Sequence, residues 1–116
     1  MTVATQDLEV WKGNDWSQTF AFVDGTGAAL DLTGSSLVFR ATAPGMTTLR
    51  KSSPSSGITI PTPANGQAVV TMSIAETRLL PLGMVALYEI EFRSAGTQTT
   101  LVAGRINALG GVNDDA

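Results

Sequence analysis

Hydrophobic and polar residues alternate with a period of two along most of the chain, in short runs separated by glycine, proline and serine. The clearest run is residues 84–93, "MVALYEIEFR", in which Glu89, Glu91 and Arg93 share one face while aromatic and aliphatic side chains fill the other. Residues 36–42 repeat the pattern. Such runs are typical of a sandwich or barrel. We therefore predict an all-β fold: a single antiparallel β-sandwich, immunoglobulin-like or jelly-roll-like, with about seven or eight strands.

Residues that tolerate tight turns mark where the first strands should reverse. The "DGTG" of residues 24–27 predicts a hairpin that pairs residues 16–23 with residues 29–32, because aspartate and glycine favour turn geometry. The Asn65-Gly66 pair predicts a second hairpin between the short apolar runs on either side of it, since both residues accept left-handed backbone angles.

The C-terminal part of the chain predicts one helical turn and one long hairpin. Ser73 and Glu76 have the spacing of a capping box, which predicts a short helical turn near 74–80. Beyond it, the run that contains Glu89 should pair with residues 98–109 as antiparallel strands. Gly104 in the second of these strands marks a bulge or a point of close backbone approach.

The segment "WKGNDW", residues 11–16, places both tryptophans of the chain beside one turn. Trp16 shares its strand face with Phe20 and Phe22, which predicts that it points into the core. Trp11 ends the opening strand, and we expect it to meet a neighbouring subunit. The alternative is a stacking platform for a sugar, which needs both indoles on one accessible face. The predicted structural corner consists of Gly13, Asn14, Asp15 and Trp16.

Two short segments, residues 46–50 and 58–60, are the predicted edge strands of the sandwich. An edge strand has unpaired backbone groups, so a partner strand can add to it. Residues 51–57, "KSSPSSG", should form a flexible surface loop between these edges. The candidate interaction residues are Trp11, Thr48, Leu49, Ile58 and Ile60.

Composition narrows the classes of function. The 116 residues are 43% hydrophobic and 15% charged, which favours one folded domain over residues 1–116 with an unusually uncharged surface. The net charge of −3 and the scattered basic residues argue against nucleic-acid and membrane partners. Residues 1–10 show no signal-peptide pattern, so we expect synthesis in the cytoplasm. Residues 110–116 should form a flexible tail.

The chain has no histidine and no cysteine, which excludes Ser-His-Asp, Cys-His and common zinc arrangements. Glu89 and Glu91 have Cα atoms about 7 Å apart, near glycosidase spacing, but alternate acidic residues beside Arg93 are typical of a solvated strand face. Asp24 and Asp31 flank a glycine turn and could supply oxygen ligands to a calcium ion, but no calcium-loop pattern is present, and turn hydrogen bonds explain Asp24 equally well. We therefore predict no catalytic, cofactor-binding or metal-binding residues, no cofactor and no small-molecule substrate.

A series of short motifs follows in order along nearly the whole chain. The motifs are Gly13-Asn14-Asp15-Trp16, Leu30-Asp31-Leu32-Thr33-Gly34, Phe39-Arg40-Ala41, Gly57-Ile58, Asn65-Gly66, Ser73 to Thr77, Leu80-Pro81-Leu82-Gly83 and Tyr88-Glu89-Ile90-Glu91. In this order they resemble small β-sandwich structural proteins of tailed-bacteriophage virions, of the kind found at the N-terminus of phage baseplate upper proteins and in related short tail proteins. The last strand matches less well, because Leu109 departs from the pattern.

The resemblance implies a non-enzymatic structural part of a virion: a tail, baseplate or tail-fibre attachment protein that works through protein–protein contacts. The implied partners are other virion proteins, and the implied state is a homo-oligomer, either a trimer or a hexameric array. The family offers no catalytic residue to carry over. Because the chain ends at residue 116, before the helical regions that continue baseplate upper proteins, a capsid decoration (cement) protein is the first alternative. A carbohydrate-binding module is the second.

Overall fold

The computed structural model describes residues 4–45, 48–53, 57–80, 85–94 and 96–110. Over these residues the chain forms two β-sheets around one hydrophobic core, so the predicted all-β sandwich is confirmed. The strands are β1 (Ala4–Thr5), β2 (Leu8–Lys12), β3 (Trp16–Ala21), β4 (Ser36–Thr42), β5 (Leu49–Ser52), β6 (Ile58–Thr59), β7 (Gln67–Met72), β8 (Val85–Ser94) and β9 (Thr97–Gly110). A 3-10 helix covers Pro63–Asn65, and the helix α1 covers Ile74–Thr77.

The larger sheet has the strand order β1-β9-β8-β4-β5, and β2 also pairs with β9. The predicted hairpin between β8 and β9 is confirmed; its register shifts between Ile90 and Glu91, so the bulge lies there and not at Gly104. β1 and β2 run parallel to β9, whereas the sequence predicted only antiparallel pairs. The reason is the corner after β2. It carries the chain to the other sheet, so β2 fills the free edge of β9 instead of forming a hairpin with β3.

The smaller sheet has the strand order β3-β7-β6 and is antiparallel throughout. The predicted hairpin after β3 is reduced to one bridge between Val23 and Ala29. β3 pairs along its whole length with β7 instead. The return segment is short because Leu32 turns into the core, where it is buried, and the chain then leaves toward β4.

The predicted hairpin at Asn65-Gly66 is confirmed between β6 and β7, but its connection is longer than a two-residue turn. Asn65 ends the 3-10 helix, and Gly66 follows with a left-handed φ of 69°. A Cβ atom at Gly66 would lie 2.6 Å from the carbonyl oxygen of Phe22 and 2.8 Å from that of Leu30. Glycine is therefore needed at position 66 both for its backbone angle and for this close approach.

The core lies between the two sheets, and both sheets contribute aromatic rings to it. Tyr88 of β8 lies 5.5 Å from Phe39 of β4 and 6.4 Å from Phe20 of β3, measured between ring centroids. The predicted inward face of β4, which is Leu37, Phe39 and Ala41, is fully buried. Burial of large apolar side chains such as these stabilises the fold by roughly 1.5–3 kcal/mol each. The alternation in the sequence therefore located the core correctly.

Gly104 of β9 is a point of close backbone approach, as predicted. A Cβ atom there would lie 2.0 Å from the carbonyl oxygen of Gln6, in the break between β1 and β2. The Tyr88 hydroxyl donates a hydrogen bond to the same carbonyl, and the Arg105 N–H donates to the Asp7 carboxylate (3.1 Å). Burial, with a smaller contribution from the charge of Asp7, raises the pKa of Tyr88 to about 12. The break between β1 and β2 is thus held by one hydrogen bond from β8 and one from β9.

The C-terminal strand is longer than the sequence predicted. Gly110, assigned to the tail from the sequence, ends β9, and residues 111–116 lie outside the described residues. The Pro81 to Gly83 motif also lies outside them. Lys51 and Ser52, expected in the surface loop, belong to β5. Neither helix in the described part of the chain is long and apolar enough to cross a membrane.

Candidate interaction surface

The corner is a tight turn that carries the chain from β2 in the larger sheet to β3 in the smaller one. The Asn14 N–H donates to the Trp11 carbonyl (3.2 Å), which closes the turn, and Gly13 takes a left-handed φ of 84°. Asp15 is exposed, and Trp16 begins β3. The turn therefore joins two strands that lie at the edges of different sheets.

Thr77 of α1 fixes the position of this corner. Its side chain is fully buried. Its hydroxyl oxygen accepts from the Gly13 N–H (3.1 Å) and lies 2.8 Å from the Asn14 carbonyl and 3.0 Å from the Ile74 carbonyl, to either of which it can donate. In the sequence, Thr77 is only the last residue of the Ser73 to Thr77 motif. The available signal is weak: a threonine in a short helix, whose hydroxyl tends to bond nearby backbone groups.

The predicted capping box at the start of α1 is confirmed. The Glu76 N–H donates to the Ser73 hydroxyl (3.2 Å), and the Ser73 N–H donates to the Glu76 carboxylate (2.8 Å). Glu76 also forms an ion pair with Lys51 of β5. Burial raises the pKa of Glu76, but hydrogen bonds from Lys51 and Ser73 outweigh this effect and bring the pKa below its ordinary value. These contacts connect α1 to β5 as well as to the corner.

Three of the five large apolar side chains that the described residues expose lie at the corner or on the α1 segment bonded to it. They are Trp11, which is 56% exposed, and Ile74 and Leu79, which are both 46% exposed. Ile74 begins α1 and Leu79 follows its end, while Thr77 between them bonds the corner. We call these three side chains the corner patch. Exposed apolar side chains are candidates for contact with other molecules where they form a contiguous patch.

The ring of Trp11 rests on Gly110, the last residue of β9. A Cβ atom at Gly110 would lie 2.4 Å from the indole, and the φ of 88° at this position also favours glycine. β2 pairs with β9 in a register that places Trp11 opposite Leu109. The indole is thus supported by backbone on one side while more than half of it stays exposed. A large aromatic side chain held in this way is typical of the residues that dominate protein–protein interfaces.

The two indoles do not form a stacking platform. Trp16 belongs to the smaller sheet and packs, partly buried, against the core. Phe20 and Phe22 continue its row inward, and their rings lie 6.2 Å apart. Trp11 belongs to the larger sheet and is exposed. Because sugar stacking needs rings on one accessible face, this arrangement gives no support to a carbohydrate-binding site.

The predicted edge segments do lie at sheet edges, since β5 ends the larger sheet and β6 ends the smaller one. Thr48 is exposed just before β5, with its hydroxyl 3.4 Å from that of Thr42. Leu49 and Ile58 are buried, and Ile60 packs partly buried against the core. These three side chains cover the core because the inward face of an edge strand still faces the opposite sheet. A partner that adds to these edges would therefore pair mainly with their backbone groups, and the role of the three residues in an interaction stays a prediction.

The outer face of the larger sheet carries charges of both signs. Arg40 pairs in register with Glu89, and the Arg93 Nε atom lies 2.6 Å from the Glu91 Oε1 atom. Val38 lies opposite Glu91 on this face but is buried, because the long charged side chains around it cover it. Glu91 is therefore paired with an arginine, as expected for a solvated face.

Asp24 and Asp31 each complete a turn of their own. The Asp24 carboxylate accepts from the Thr26 N–H (2.8 Å), the Thr26 hydroxyl (2.6 Å) and the Ala28 N–H (3.2 Å). The Asp31 carboxylate accepts from the Thr33 N–H (2.9 Å). Hydrogen bonds from the side chain and backbone of Thr26 lower the pKa of Asp24, and hydrogen bonds from the side chain and backbone of Thr33 lower the pKa of Asp31. Among the residues that the structure describes, no group of three or more acidic, histidine or cysteine side chains is placed to bind a metal ion.

Comparison with known proteins gives a likeness in fold. No protein-family model matches the chain, and no curated protein matches it significantly. Among solved structures, the chain is similar to the N-terminal domain of phage TP901-1 ORF48, with 14% sequence identity and a TM-score of 0.57. The match covers 95% of this chain and 100% of that domain. The chain therefore shares its fold with this phage domain, in agreement with the resemblance drawn from the motifs.

Proposed function

We propose that the chain is a non-enzymatic structural component of a tailed-phage virion, and specifically a tail, baseplate or tail-fibre attachment protein. The observation that carries this proposal is the likeness over 95% of the chain to a phage domain. The motif order read from the sequence supports the same assignment, because the motifs span the chain from the corner at Gly13 to the paired glutamates of β8.

The surface supports a role in contact and not in catalysis. The corner patch presents three exposed apolar side chains on a support of hydrogen bonds centred on the buried Thr77. The charged side chains of the larger sheet include an arginine–glutamate ion pair, and the carboxylates of Asp24 and Asp31 are occupied by turn hydrogen bonds. On this proposal the chain works within the virion as a homo-oligomer, and its partners are other virion proteins that cover the corner patch.

The proposal is tested on particles of the phage or induced prophage that encodes the chain. Particles are purified through density gradients, separated into heads and tails, and probed for the chain by immunoblot and quantitative mass spectrometry. We expect the chain in the tail fraction, in several copies per particle. Its recovery with heads alone would assign it to capsid decoration, and its absence from both fractions would contradict a virion role.

The corner patch is tested by replacing its largest member. Trp11→Ala should reduce incorporation into particles by about tenfold or more, because buried interface tryptophans commonly contribute 2 kcal/mol or more to binding. The matched control is Leu87→Ala. Leu87 is 58% exposed and lies on β8 opposite Arg105, four residues along β9 from Leu109, which pairs with Trp11. Equal incorporation of the two variants would show that the patch is not the contact surface.

A further inference from the structure

Among the described residues, no strand pairs with one side of β3. β3 ends the smaller sheet, where it pairs only with β7. The Phe22 N–H donates to the Gly66 carbonyl (2.8 Å), and the Phe22 carbonyl accepts from the Leu30 N–H (3.0 Å). Since the N–H and C=O of one residue in a strand point to the same side, residues 28–30 continue the row of β7. Within the part of the chain that the structure describes, no strand therefore pairs with the opposite side of residues 16–23.

The backbone groups on this open side belong to four residues. The backbone N–H and C=O groups of successive residues in a strand point to alternate sides. Those of Phe22 point toward the neighbouring chain segments, Gly66 among them, so the backbone groups of the odd-numbered residues point away from the sheet. They are Ser17, Thr19, Ala21 and Val23, and the side chains of all four are exposed. Within the described residues, the only hydrogen bond to these backbone groups is a weak one from the Gln18 side chain to the Thr19 carbonyl (3.3 Å).

The other edges carry features that discourage pairing, and β3 does not. Charged side chains, short length and proline protect strand edges from adding a partner. β5 has Arg50 and Lys51, β2 has Glu9 and Lys12, and β6 is only two residues long. Residues 16–23, "WSQTFAFV", have no charge, no proline and no glycine. This open segment is also longer than a strand of ordinary length.

We infer that two copies of the chain pair through β3 as antiparallel strands related by a twofold axis at Phe20. In this register Thr19 lies opposite Ala21 of the second copy, and Ser17 lies opposite Val23 of the second copy. The unpaired backbone groups of one copy therefore face the unpaired backbone groups of the other. All four can then form both of their backbone hydrogen bonds, about eight bonds in total. The smaller sheet of one copy and that of the second copy then form one continuous sheet.

A second copy fits this edge better than a partner of opposite charge. Each copy has a net charge of −3, which opposes self-association, yet no charged side chain lies between residues 16 and 23. The exposed side chains that would meet across the twofold axis are small or uncharged. On the inner face Trp16, which is only partly buried in one copy, gains further cover. The inference rests on this edge alone and does not depend on the virion role.

The test is a pair of double variants that differ only in the sign of one charge. In the proposed register, Thr19→Lys with Ala21→Lys sets lysine opposite lysine twice, whereas Thr19→Lys with Ala21→Glu sets lysine opposite glutamate twice. Sedimentation equilibrium over a wide range of protein concentration measures the dimer dissociation constant. We expect the Lys/Lys variant to bind itself about tenfold more weakly than the unaltered chain or worse, and the Lys/Glu variant to dimerise at least as well.

Two further measurements make the result decisive. Amide hydrogen exchange should show protection of Ser17, Thr19, Ala21 and Val23 at high concentration and its loss on dilution. Thr19→Pro removes one outward N–H without breaking a bond to β7, so it should abolish the dimer. Thr48→Pro, the same change just before β5, should leave the dimer intact. A chain that is monomeric at all concentrations, or a dimer that both double variants keep equally, would overturn the inference.

Discussion

Replacing Thr77 with valine tests how the corner is held. Valine keeps the shape of threonine but removes the hydroxyl, so the Gly13 N–H and the Asn14 carbonyl lose a hydrogen-bond partner. The side chain of residue 77 is 0% exposed, so water does not easily replace these bonds. Because each buried polar group left unsatisfied costs about 1–3 kcal/mol, we expect Thr77→Val to lower the free energy of unfolding by about 2–3 kcal/mol.

Urea denaturation followed by tryptophan fluorescence measures this change, since both tryptophans flank the corner. In a chain of this length the same loss lowers the melting temperature by about 8–12 °C. Thr77→Ser keeps the hydroxyl and loses only a buried methyl group, which costs about 1 kcal/mol. Thr59→Val, at an exposed position, should change the free energy by less than about 0.5 kcal/mol. The reasoning is refuted if Thr77→Val is no more destabilising than Thr77→Ser.

Three other predictions follow from the packing and the charges. Gly104→Ala should lower the free energy of unfolding by about 3 kcal/mol or more in the same urea assay, because its Cβ would lie 2.0 Å from a carbonyl oxygen. The control Gly25→Ala places its Cβ in open space and should be nearly neutral. Because folding raises the pKa of Tyr88, the neutral hydroxyl stabilises the fold below pH 10, and this stabilisation is lost as the pH rises toward about 12. An absorbance titration of this single tyrosine should give the raised pKa in the folded chain and an ordinary pKa in urea. Glu76→Gln should cost about 0.5–1 kcal/mol at neutral pH by removing the ion pair with Lys51. Because the pKa of Glu76 is lowered on folding, the difference from the unaltered chain in urea titrations should shrink as the pH falls below the ordinary pKa of 4.5 and disappear once the pH is below the lowered pKa of the folded chain.

Local patterns predicted the elements whose structure depends on near neighbours. The alternation in β8 and β4 gave the inward faces, and the capping box at Ser73 and Glu76 forms as expected because its four groups lie within one turn of helix. Gly104 was identified from the sequence as a place of close approach, since a glycine inside a long apolar strand usually has a steric reason. These features can be read without knowing which strands pair.

Features that depend on distant residues were not predicted. β2 pairs in parallel with β9, which lies almost the whole chain away, and no turn sequence directly connects the two strands to indicate their pairing. The partner of β3 was expected in the hairpin that follows and is β7 instead, which is why the open edge at Ser17 to Val23 was missed. Thr77 bonds a corner more than sixty residues earlier in the chain, so its role follows only from the packing of α1. The burial of Leu49 and Ile58 likewise depends on which sheet lies opposite them.

The most direct test of the proposed function is to locate the chain in the density of the particle by cryo-electron microscopy with symmetry averaging. We predict that the two-sheet sandwich fits density at the tail, baseplate or fibre attachment region, in several symmetry-related copies, with the corner patch covered by a neighbouring subunit. A particle in which every tail and baseplate density is accounted for by other chains would contradict the proposal.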